Sequence, residues 1–131
     1  MVIQLRKRHP SLMRRHFLTG AIAEGQTLAD ITWHGVDPDQ QPDWQASQPQ
    51  PLAYTLTAVA SDESDLHIVM NMSDQDWTMR LPTLTGKRWA IAINTAKSSP
   101  QDIILPEKQK PVSNPQYQIP PRSVMVFESS V

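Results

Sequence analysis

The chain has 131 residues, with 12 basic and 13 acidic side chains, 12 prolines, four glycines, no cysteine and 39% hydrophobic residues. This length suits one domain with its own core, and the proline excess disfavours long helices. The missing cysteines exclude disulfides, thiolate metal sites and a cysteine nucleophile, and the net charge of −1 gives no general attraction to nucleic acid or anionic membrane. No apolar run approaches the roughly 20 residues of a membrane span, and MVIQLRKRHP lacks the apolar stretch of a secretory leader, so a cytoplasmic location is expected. Charge is nonetheless uneven: Arg6, Lys7, Arg8, Arg14 and Arg15 fall within residues 1–16 without an acid, while the remainder is acidic.

In chain order, Met1 to about His9 reads as a short helix, with Val2, Leu5 and His9 on one face and the basic residues largely on the other. Pro10 stops it. A short strand is expected over Asp30–His34, then a long polar, proline-rich loop over Val36–Pro51 that contains Trp44. Leu52–Ala60 is the next strand, closed by an acidic turn. Leu66–Met72 alternates, with Leu66, Ile68, Met70 and Met72 on one face, and Trp77–Leu81 alternates again. Arg88–Thr95 places Trp89, Ile91 and Ile93 together. Ile103–Leu105, a proline-bearing loop and a strand near Ser123–Glu128 complete the chain. Seven or so short strands with turn signals between them predict an all-β, antiparallel sandwich with a short N-terminal helix, its core supplied by the alternating Leu, Ile and Met positions.

Sites of chemistry are sparse. The four histidines lack ligand spacing, and no phosphate loop, nucleophile elbow or calcium loop occurs. The acidic groups Asp62, Glu63 and Asp65, and Asp74 with Asp76, sit in turn sequences, where aspartate is favoured for local hydrogen bonding. Trp33, Trp44, Trp77 and Trp89 are half of the eight aromatics, and large aromatics serve burial and interfaces more often than sugar stacking.

Several segments resemble, in order, the C-terminal region of isoamylase-type glycogen-debranching enzymes of the α-amylase superfamily. They are Leu5-Arg6-Lys7-Arg8-His9-Pro10 with Arg14-Arg15 and Phe17-Leu18-Thr19-Gly20, then Asp30–Gly35, Pro42-Asp43-Trp44 and Leu66–Met72. Leu81-Pro82, Arg88-Trp89 through Asn94-Thr95, Ser99–Ile103, Tyr117 and Arg122-Ser123-Val124 complete the series. The resemblance implies a remnant of the last barrel helix and its exit over residues 1–20, and a C-terminal β-sandwich over 21–131. It also implies carbohydrate metabolism by a glycoside hydrolase whose catalytic carboxylates lie on an upstream barrel. No catalytic, cofactor-binding or metal-ligating residue is therefore assigned in this chain, and no cofactor is expected. The implied role is an accessory domain, non-catalytic by itself, that packs on a catalytic barrel or self-associates through Val2, Leu5 and Leu12. The alternative is a stand-alone α-glucan-binding module using Trp33, Trp44 and Trp77. Neither nucleic acid nor membrane is expected as a partner.

Overall fold

A computed structural model describes residues 2–9, 12, 31–35, 50–58, 64–82 and 87–130. Among these residues, helix α1 (Val2–Arg8) is followed by seven strands: β1 (Ile31–His34), β2 (Leu52–Leu56), β3 (Leu66–Asn71), β4 (Trp77–Arg80), β5 (Arg88–Asn94), β6 (Gln116–Ile119) and β7 (Ser123–Ser130). Five of them form one antiparallel sheet in the order β1-β2-β3-β7-β5, and β4 pairs with β6 in a second, two-stranded sheet. The fold is an all-β sandwich with a short N-terminal helix. The expected boundary at 20/21 lies outside the described residues, as do Pro10 and most of the Val36–Pro51 loop.

Ala53, Val69, Trp89, Met125 and Phe127 of the large sheet meet Met79, Leu81 and Ile119 of the small sheet and its flank. Tyr117 packs on Phe127 with ring centroids 5.0 Å apart. Strand period then sends the intervening residues to the opposite face, where Ile31, Leu56, Leu66 and Val126 form a second cluster with Leu12, Ile68 and Ile93 packed against it.

Three expectations need correction. The side of β3 facing the small sheet is His67, Val69 and Asn71, not the Leu/Ile/Met set. Leu66 is buried in the second cluster, and Met72 lies past the strand end at 62% exposure. Periodicity separates two faces but does not rank them when both are apolar. Ile93 also leaves the face of Trp89 and Ile91, because a bulge between Ile91 and Ile93 pairs Ile91 with Phe127 and Ile93 with Val126. Ile103 forms only an isolated bridge to Ile93, whereas β6 forms inside the stretch read as a loop. Its sequence, QYQI, has only two apolar residues, which are enough because the small sheet needs only one buried face.

Buried polar groups fix the strand ends and the sheet interior. Asn71 Nδ2 donates to the carbonyls of Gln75, Ile119 and Pro120, and its Oδ1 accepts from Ser73 N–H and Oγ–H. One fully buried side chain thus ties the β3–β4 turn to the β6–β7 turn. Within the sheet, Thr55 Oγ1 lies 2.8 Å from His34 Nε2 and 2.9 Å from His67 Nδ1, so one hydroxyl is hydrogen-bonded to both rings. His67 is enclosed by Trp89 and Phe127, and its Nε2 has no hydrogen-bond partner among the described residues. Burial and the neighbouring His34 lower its pKa to about 3, so the folded domain holds it neutral.

The unfolded chain binds that proton near the ordinary histidine value and the native state does not. Stability is therefore complete above about pH 6.5 and falls by up to about 1.4 kcal/mol per unit as pH drops toward 3. Urea melts at pH 7 and pH 5.5 should show this loss for the native chain and a flatter profile for His67→Gln. The Tyr117 hydroxyl is also buried without a partner among the described residues, and burial raises its pKa. Tyr117→Phe should then gain roughly 1 kcal/mol in the same melts, since it removes an unsatisfied polar atom and keeps the ring.

Candidate functional site

Two surface features carry the residues singled out in the sequence. The first is the seat of α1 on the large sheet. Leu5 is buried at 8% exposure, and Leu12 is half-buried against the second apolar cluster. The side chain of Val2 lies outside the described residues. Burying one leucine contributes about 1.5–3 kcal/mol, enough to hold a short helix that would be marginal alone.

Charge completes the seat. Arg8 Nη2 donates to Glu128 Oε1 at 2.6 Å, and His9, almost fully buried, places Nδ1 3.1 Å from the Ser64 carbonyl. His9 Nε2 lies 3.6 Å from Glu128 Oε1, an ion-pair distance beyond hydrogen-bond range. Burial alone would raise the Glu128 pKa. The side chains and charges of His9 and Arg8 outweigh it and hold the carboxyl below its ordinary value. Next to it, Asp65 accepts from Ala58 N–H and from Lys87 Nζ, while Ser129 Oγ accepts from Asp65 N–H. The residues of α1 left facing outward are Ile3, at 70% exposure, with Gln4, Arg6 and Lys7. Ile3, Arg6 and Lys7 stand three and four positions apart and share one side of the helix.

The second feature is a band on the outer face of the large sheet. Trp33, Tyr54, Ile68 and Val126 are consecutive cross-strand neighbours. Trp33 is 37% exposed, and its ring lies 5.1 Å from that of Tyr54 at a 46° tilt. Trp77 is elsewhere, half-buried on the inner core with its indole N–H donating to Ser73 Oγ at 3.0 Å. Trp44 lies outside the described residues. The structure therefore does not bring Trp33 and Trp77 onto one surface. A groove of about 290 Å³ beside Trp89 is bordered by Leu81, Pro82, Arg88, Val112 and Pro115, and the Trp89 indole N–H is already committed to the Pro82 carbonyl.

No group of three or more His, Asp or Glu side chains able to hold a metal occurs among the described residues. The buried carboxylates, Asp65 and Glu128, are committed to structural partners. Asp74 is exposed and paired with Arg122 at 2.8 Å. Sequence reasoning missed Glu128 and the distant partners of Asp65, His34 and His67. The available signal was a lone acid in an otherwise apolar strand, Val124-Met125-Val126-Phe127-Glu128, since a charge there must find a partner.

Comparison with known proteins agrees with this architecture. The family model described as "Isoamylase 1-3, C-terminal" matches residues 32–126. "Isoamylase 1, chloroplastic" of Arabidopsis thaliana is 31% identical over 81 residues, which is 62% of this chain and 10% of the relative. The chain thus matches about a tenth of that much longer protein. With nearly all of the sandwich inside the match, the chain belongs to the isoamylase C-terminal domain family.

Proposed function

We propose that this domain serves as the non-catalytic, accessory C-terminal unit of an α-1,6-glucan debranching enzyme, packing on a catalytic barrel through the outward side of α1. The observation that carries the reading is the family match across the sandwich. It is supported by the orientation of α1, whose inner side is clamped to the sheet and whose outer side presents an exposed isoleucine beside two cations. An apolar contact rimmed by charge suits a protein interface. The carboxylates described above have structural partners, which favours placing the chemistry on the barrel. A cytoplasmic location is retained as part of this proposal.

The test uses the full chain and the barrel region of an isoamylase-type enzyme expressed without its own C-terminal domain. Light scattering should show a one-to-one complex, with affinity falling about tenfold, near 1.4 kcal/mol, in Ile3→Asp. A chain that remains monomeric and unbound at high concentration would overturn the reading. Concentration-dependent dimers without barrel binding would replace it with self-association.

A second reading, a glucan-binding module, draws on the tilted, partly exposed Trp33–Tyr54 pair, since indole and phenol faces stack on sugar rings. Titration with maltoheptaose should then give a saturable tryptophan-fluorescence change that Trp33→Ala abolishes. Absence of a change up to about millimolar ligand, equivalent to binding weaker than about 4 kcal/mol, would remove this reading.

A further inference from the structure

We infer that the groove beside Trp89 is a binding site for a hexose monophosphate, with the phosphate held at Arg88 and Lys87 and the sugar ring set between Pro82 and Pro115. The groove forms where the exit of β4 and the stretch before β6 converge on the start of β5. Three hydrogen bonds fix its walls to its floor. Trp89 Nε1–H donates to the Pro82 carbonyl at 2.9 Å, Val112 N–H to the Trp89 carbonyl at 2.8 Å, and Leu81 N–H to the Pro115 carbonyl at 2.8 Å. Walls held in this way need little ordering when a ligand enters. The volume, about 290 Å³, lies at the small end of the range for ligand pockets, which suits one ring and its anionic group better than a chain.

Charge on the border is one-sided. Its described residues include two cations, Lys87 and Arg88, one hydroxyl, Ser113, and no acid, and all three polar residues are exposed. Lys87 Nζ lies 3.2 Å from the buried carboxylate of Asp65, so its charge is already balanced. The Arg88 guanidinium has no ion pair among the described residues and leaves the rim positive. A guanidinium donates in a planar fork, which matches an anion with several oxygens, and a phosphate monoester offers three. The walls offer the rest of the ligand only C–H surface, from Pro82, Val112 and Pro115. Trp89 is 5% exposed and its indole N–H is spent, so stacking on its face is not available. A pyranose carries C–H groups to meet such walls. Its hydroxyls would be costly in a closed apolar cavity, and here they remain at the exposed rim beside Ser113 and water. The choice of a sugar as the body of the ligand rests on the α-glucan reading above; the anion site rests on Arg88.

The test is a titration of the ¹⁵N-labelled full chain with glucose 6-phosphate, glucose and inorganic phosphate at fixed ionic strength. The Trp89 indole and the Val112 and Ser113 amides report the groove. Glucose 6-phosphate should shift these resonances saturably with a Kd near 1 mM, about tenfold tighter than either glucose or phosphate. Arg88→Gln should weaken that binding about tenfold and leave the urea melt unchanged, since the side chain is exposed. The Trp33 indole, on the opposite face of the large sheet, should not move. No saturable shift up to about 20 mM, or full binding by Arg88→Gln, would overturn the proposal. Phosphate binding as tightly as the ester would overturn it too, as an adventitious ion only. Neither a barrel nor a maltooligosaccharide enters this titration, so its failure leaves barrel docking standing, and failure of barrel docking leaves its result intact.

Discussion

Strand β7 has no solvent face along most of its length. It runs between β3 and β5, with Met125 and Phe127 directed to the small sheet and Val126 and Glu128 to the opposite side. A two-layer sandwich ordinarily leaves the outer faces of its sheets polar. Here the outer face of the large sheet is apolar at Leu56, Leu66 and Val126, so it requires cover of its own. Leu12 packs on that cluster, while α1 comes down on the same side at Glu128. The helix is thus part of the domain's packing, and the outward-facing residues of α1 are those left once Leu5 is buried and Arg8 and His9 have met Glu128 and the Ser64 carbonyl.

This double-sided burial also explains which features could be read from the residues. Element positions were legible because turn residues and alternation mark short strands well, and β3, β4, β5 and β7 lie close to where the pattern puts them. Face assignment was less legible. A strand such as Leu66-His67-Ile68-Val69-Met70-Asn71 alternates between one apolar set and another set that includes His67 and Asn71, and polarity alone points the wrong set outward. His67 can sit inside because Thr55 satisfies one ring nitrogen and burial keeps the ring neutral; Asn71 can because three carbonyls and a serine saturate its amide. Those partners lie up to 49 positions away in sequence, out of reach of any local pattern. The α1 seat was half legible: Leu5 belonged to a visible stripe, but the role of Glu128 depends on a contact 120 residues distant.

Family membership and geometry address different questions. The match extends over the sandwich, and the relative that shares it is about ten times longer than the matched segment. The interior is demanding. Buried ionic and polar groups in this domain tolerate truncation of a partner poorly, because the group left behind loses its compensation without regaining water.

Asn71 has one further chemical implication. With Met72 and Ser73 it forms the N-x-S acceptor sequence for N-linked glycosylation. In the folded domain the Asn71 amide is fully buried and its Nδ2 is committed to the carbonyls of Gln75, Ile119 and Pro120, while Ser73 Oγ–H donates to Asn71 Oδ1. An oligosaccharyltransferase could reach this nitrogen only before the two turns close. A glycan attached then would prevent them from closing, so the native domain and the modified asparagine exclude one another.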